Sequence, residues 1–111
     1  MPRVARTYSS PTSQILKLVG KRIKLSRKTA GMSEANLAER VGIARSTLQR
    51  IEAGDPSVEI GIVLEAALIS GTRLFDPDVT RLLTETEMLE RRLAPAPRVY
   101  SSHKRQIDDD F

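Results

Sequence analysis

Between positions 45 and 50 stand Arg45, Ser46, Thr47, Gln49 and Arg50, hydrogen-bonding side chains interrupted only by Leu48. A guanidinium can hold guanine by two hydrogen bonds, and a carboxamide can do the same with adenine, so these residue types suit the reading of base edges. Little else in the chain is equipped for chemistry. It has no Cys, which excludes disulfides, Cys-ligated zinc, iron–sulfur clusters and thiol nucleophiles. Its single His, His103, cannot build a multi-His metal site and lies near the chain end, a poor place for a catalytic base. There is no G-x-S-x-G and no phosphate-binding Gly loop. We therefore expect no enzyme, no cofactor and no metal. Asp108, Asp109 and Asp110 are adjacent carboxylates, but an unstructured terminus offers Mg²⁺ no fixed coordination geometry.

Charge narrows the class of partner. The 111 residues carry a net charge of +4, unevenly spread. Residues 1–28 hold eight basic side chains, Arg22 and Lys28 among them, and no acidic one, whereas residues 55–94 hold eight acidic against four basic. Such an imbalance points to one surface for polyanions and another that avoids them; a solvated basic helix beside a floppy arm is the plainer alternative. An acid-free, Arg-bearing N-terminus also resembles an organelle transit peptide, but here the basic residues run into a helix that the core needs. The length suits one domain. No apolar run approaches the roughly 20 residues of a membrane span, so we expect a soluble, cytoplasmic, helical protein.

The elements that must position residues 45–50 are legible from periodicity and capping. Residues 1–12 hold two prolines and no apolar period, which reads as a flexible basic arm. Thr12 or Ser13 is the expected cap of a first helix ending near Ala30, with Gly31 as its stop. Leu16, Val19, Gly20 and Ile23 share one face of it, and Arg27 falls on the same stripe, where a charge needs a partner. Ser33 caps a second helix, Glu34 to Val41, and Glu34 suits the positive end of its dipole. After Gly42 a third helix runs from about Ala44 to Ala53, with Leu48 and Ile51 inward. Ser57 is the expected cap of a fourth helix, about Val58–Ser70, which is apolar nearly all round and is therefore buried centrally or shared with a partner chain. Asp76-Pro77 opens a fifth helix that carries Leu82, Leu83, Leu89 and Leu93 and ends before Pro95. The organisation expected is a domain over 13–75, a C-terminal helix within 76–94 and a flexible partner-binding tail over 95–111.

Two short helices joined by a tight glycine turn, after a longer helix and before a buried one, describe a helix-turn-helix. The stretch GMSEANLAERVGIARSTLQRIEAGDP closely resembles the Cro/C1-type (XRE) family, which includes the lambdoid phage repressors. The resemblance rests on Leu37-Ala38, Gly42, Thr47-Leu48, Ile51-Glu52 and Gly54 at the family's spacing. It implies an all-α, five-helix, lambda-repressor-like fold that binds a palindromic double-stranded operator as a homodimer. It also implies that Arg27 pairs with Glu52, that Arg45, Ser46, Gln49 and Arg50 contact bases, and that Thr47 and Ser33 contact phosphates. Lys28 and Arg22 are added as phosphate contacts on charge alone. Two positions depart from the family. Glu34 stands where relatives often have a phosphate-facing Gln, and it would repel the backbone, so a role confined to the helix start is expected. Ala44 stands where a Ser or Thr usually caps the third helix, a loss of about 1 kcal/mol.

A wider resemblance covers most of the chain. GDPSVEIGIVLEAALISGTRLFDP and the ending RRLAPAPRVYSSHKRQIDDDF are similar to the HipB-like antitoxins encoded beside HipA-type kinases. This implies a repressor that autoregulates its operon on the nucleoid and binds a HipA-like serine/threonine kinase toxin, with Asp108, Asp109, Asp110 and Phe111 as the partner-binding tail. An aromatic on a flexible end can fill a partner's pocket at an ordering cost; a solubilising end or a degradation signal is the alternative. A stand-alone phage- or restriction-type repressor, and a toxin-neutralising module whose helix-turn-helix is only scaffold, remain as alternatives of function.

Overall fold

Residues 6–96 are described by a computed structural model, and among them stand five helices and no strand: α1 Ser10–Thr29, α2 Glu34–Val41, α3 Arg45–Glu52, α4 Ile60–Ser70 and α5 Val79–Leu93. The described residues divide into two compact units, one ending at Phe75 and the other beginning at Asp76. No helix among the described residues is long and apolar enough to cross a membrane.

In the first unit, Ile23 of α1, Leu37 and Ala38 of α2, Leu48 and Ile51 of α3, and Ala66 and Ala67 of α4 are buried together with Met32. Val19, Val41, Ile43 and Val58 pack partly buried around them. The small side chain of Ala38 lets α2 and α3 approach, and the turn between them is a left-handed glycine cap. Gly42 sits at φ 84, and its N–H and that of Ile43 both donate to the Ala38 carbonyl at 2.9 Å. A Cβ on Gly42 would meet nothing within 4 Å, so conformation rather than space selects glycine there.

Three helix starts differ from the sequence reading. α1 begins earlier, with Ser9 rather than Thr12 or Ser13 as its cap, so residues 10–12 belong to the helix instead of an arm. The cause is Pro11, which reads as a loop marker but lies in the first turn, where no N–H is required of it. α4 begins at Ile60, not Val58; its cap residue Glu59 makes no side-chain capping bond, and Ser57 is engaged elsewhere. α5 is capped by Asp78 rather than Asp76, and the Asp78 carboxylate accepts from the Thr80 and Arg81 N–H groups. Asp76 instead accepts from the Asp78 N–H at 3.0 Å, and Pro77 precedes the cap.

α4 buries only one side, through Ala66, Ala67 and Ser70, and leaves Ile60, Leu64 and Leu68 exposed. α5 has no buried residue.

Candidate nucleic-acid interface

The presenting helix is fixed from behind by one ion pair. Arg27 comes off the buried stripe of α1 and Glu52 off the last position of α3, and both are buried. Arg27 Nε donates to Glu52 Oε2 at 2.8 Å and Nη2 to Oε1 at 3.1 Å, while Nη1 donates to the Met32 carbonyl at 3.0 Å. The guanidinium thus ties three segments: α1, the turn before α2, and α3. Its hydrogen bonds to Glu52 raise the Arg27 pKa further above its ordinary value, against the opposing effect of burial.

With that side held, α3 turns its polar face outward. Arg45, Ser46, Gln49 and Arg50 are exposed and Thr47 is half-buried. The cations at both ends of this face are clasped by carboxylates of the same chain. Glu34 Oε1 accepts from Arg45 Nε at 2.9 Å and from Gln49 Nε2 at 3.0 Å. Asp55 Oδ2 accepts from Arg50 Nε at 2.9 Å, and Arg50 Nη2 donates to Ser57 Oγ at 2.6 Å. Ser57 returns two bonds to Asp55, from its N–H at 2.8 Å and its hydroxyl at 2.7 Å. The bonds from Gln49 and then Arg45 hold the Glu34 pKa below its ordinary value. Those from Arg50 and then Ser57 bring Asp55 down to about 2. Near neutral pH both carboxylates are therefore anions.

The expectation that Glu34 serves only the start of α2 is corrected: it sits in the first turn and also clasps α3. These clasps are not locks. The Arg45 side chain is 65% exposed and that of Arg50 48%, and ion pairs so open to water are worth about 0–1 kcal/mol. The clasps restrict where the guanidinium groups point.

Beside the N-terminus of α3 lies an open recess of about 520 Å³ lined by Lys24, Arg27, Lys28, Ser33, Glu34, Ala35 and Arg45. It brings together two of the four expected phosphate contacts, Ser33 and Lys28. Ser33 Oγ already accepts from the Asn36 N–H at 3.0 Å as the α2 cap, which leaves its hydroxyl hydrogen to donate. Arg22 does not line the recess, and its carbonyl faces the Thr72 hydroxyl at 3.5 Å. Lys24, not singled out from the sequence, does line it; its spacing of four from Lys28 is the helical signal that marks the pair. Asp55 was likewise missed, because its clasp depends on where the turn after α3 runs. Asp108, Asp109, Asp110 and Phe111 lie outside the described residues.

Residues 23–73, from the middle of α1 to just past α4, match the model of a helix-turn-helix family. That stretch is a Cro/C1-type helix-turn-helix domain, and the family is one of DNA-binding transcription regulators. None of the curated proteins compared with the chain matches it.

Proposed function

We propose that this DNA-binding transcription regulator is a sequence-specific repressor that grips a palindromic operator as a homodimer. Arg45, Ser46, Gln49 and Arg50 contact bases, and Ser33, Thr47, Lys28 and Arg22 contact phosphates. One observation carries the reading: the exposed polar face of α3, backed by the buried Arg27–Glu52 pair, is presented on a fixed frame. Phosphate contacts position a protein on the duplex, while groove-facing side chains supply sequence information. The two half-sites lie about 34 Å apart, one helical turn.

Arg45→Ala and Arg50→Ala are each expected to weaken binding to the cognate duplex by about 1–3 kcal/mol while leaving non-cognate binding nearly unchanged. Fluorescence anisotropy over a salt series measures both. Equal losses on the two duplexes reassign the residues to phosphate contact. Glu34→Gln is expected to raise non-cognate affinity severalfold, because it removes a negative charge beside the phosphate-binding recess. Unchanged affinity means that the carboxylate lies away from the backbone.

The more particular reading makes the protein a HipB-like antitoxin, cytoplasmic and on the nucleoid, that represses its own operon. It binds a HipA-like kinase through residues 95–111, including Asp108, Asp109, Asp110 and Phe111. The resemblance of the chain's second half supports this reading, as does an acidic run ending in an aromatic. Deleting residues 95–111 is expected to spare operator binding and abolish capture of the kinase; capture that survives the deletion removes the tail as the main anchor. A second reading, a toxin-neutralising module with little DNA binding, is favoured by the pairing of Arg45 and Arg50 with carboxylates. It predicts no cognate preference in the same anisotropy series.

A further inference from the structure

α1 carries a second apolar strip besides the one it buries. Ile15, Leu18 and Leu25 are exposed, Leu25 by 67%. With Arg22 between them they follow a three–four–three spacing, the a and d positions of a helix–helix seam. Arg22 is the one side chain that this strip shares with the proposed phosphate contacts. One edge of the strip is closed by the domain itself: Val19 and Ser26 are half-buried, and the Thr72 hydroxyl donates to the Arg22 carbonyl at 3.5 Å. The other edge is open and holds Gln14, Lys21 and Lys28, one per heptad and all exposed. No residue of α1 is acidic, so nothing on the helix neutralises that edge.

We propose that this face of α1 docks an acidic amphipathic helix of a partner protein. Such a helix lays its own apolar seam on Ile15, Leu18 and Leu25, sets a carboxylate against Arg22 and carries others opposite Lys21 and Lys28. The chemistry of the face selects this occupant over three others. A second copy of α1 brings lysine edge against lysine edge when antiparallel and Arg22 against Arg22 when parallel, and like charges in contact are costly. A bilayer is met by a helix with a broad apolar face and its charges on the opposite side. Here the exposed strip is the narrow seam of a coiled coil, and the opposite side of α1, with Ile23 and Arg27, lies in the core. A DNA duplex offers phosphates to the lysines but nothing to the aliphatic side chains.

The inference goes beyond operator recognition and does not depend on it. Fluorescence anisotropy of the full chain against two synthetic three-heptad peptides tests it. Both peptides carry leucine at a and d. The acidic one has glutamate at every e and g and at the central a position, and its basic twin has lysine there, so like charge keeps each from pairing with itself. The wild-type chain is expected to bind the acidic peptide at micromolar concentration and the basic twin at least about tenfold more weakly. Leu18→Gln with Leu25→Gln is expected to weaken the acidic peptide at least about thirtyfold. Thermal stability and DNA affinity should stay nearly unchanged in that variant, because both leucines are exposed and neither belongs to the reading surface. Lys21→Glu is expected to weaken the acidic peptide about fivefold and to tighten the basic twin. No binding of either peptide, equal binding of both, or binding indifferent to the two leucine substitutions overturns the proposal. Two further outcomes also overturn it by naming another occupant. Phosphatidylglycerol vesicles that capture the wild type and lose the leucine variant assign the face to a lipid surface. A wild type that self-associates in sedimentation equilibrium, with the leucine variant monomeric, assigns it to a second copy.

Discussion

Replacing Glu52 with alanine is expected to lower the stability of the first unit by about 3–5 kcal/mol, because the loss strands a buried cation. Arg27 is only 4% exposed, and two of its three hydrogen-bonding nitrogens point at the Glu52 carboxylate. In the variant the guanidinium keeps its bond to the Met32 carbonyl but loses its counter-charge. It must then drag water inward or swing out, and α3 loses its tether to α1. For a domain of this size the loss corresponds to a fall in Tm of more than about 12 °C. Specific DNA binding should fall with it, although Glu52 faces away from the reading surface. The companion variant Arg27→Met with Glu52→Leu removes both charges and fills the space, and it should recover most of the loss. Thermal denaturation of the two variants and the wild type decides the point. If Glu52→Ala stays within about 0.5 kcal/mol of wild type, the pair is no structural keystone and the fixed-frame basis of the functional reading is lost.

A methyl group at position 20 should also be damaging, though less so and for the opposite reason. Gly20 is the place where α1 lies against the end of α3, and a Cβ there would stand 2.5 Å from the Ile51 carbonyl oxygen and 2.6 Å from that of Glu52. Both obstacles are backbone, so no rotamer change relieves them. Alanine gains about 1 kcal/mol in helix propensity over glycine, but overpacking costs about 1–3 kcal/mol and occasionally more. With both contacts this close the upper end applies, and a net loss of about 2 kcal/mol is expected. Gly61→Ala is the matching control. It too lies within a helix, yet its Cβ would make only an ordinary contact, 3.8 Å from Glu59 Oε1, so there the propensity gain should stand and the variant be stabilised. Urea denaturation of the two variants measures the contrast. If Gly20→Ala is also stabilised, α1 and α3 have room to separate and the close approach is not what holds α3.

Both effects bear on how much of the fold is legible in the amino-acid sequence. α2 begins after Ser33 and ends at Gly42 as expected, because a cap and a left-handed stop act within four residues of chain. The Arg27–Glu52 pair, 25 residues apart in sequence, was legible only through resemblance to a family, since helical spacing marks Arg27 as needing a partner without saying which. The misplaced starts of α1 and α5 share a cause: each stretch offers several Ser, Thr or Asp residues that could cap. At α1 the place of Pro11 in the first turn settled the choice, and at α4 Ser57 was drawn to Arg50 and Asp55.

By itself the amino-acid order determined helix type, the apolar stripes and which polar side chains ride on α3, because helical period, capping and glycine conformation are short-range effects. Tertiary structure alone decided that Arg45 and Gln49 share one oxygen of Glu34 and that Arg50 is held by Asp55 and Ser57. Those bonds require α2 and the turn after α3 to arrive within about 3 Å of particular atoms. No local propensity encodes such a distance; it follows from the packing of Leu37, Leu48 and Ile51 in a shared core.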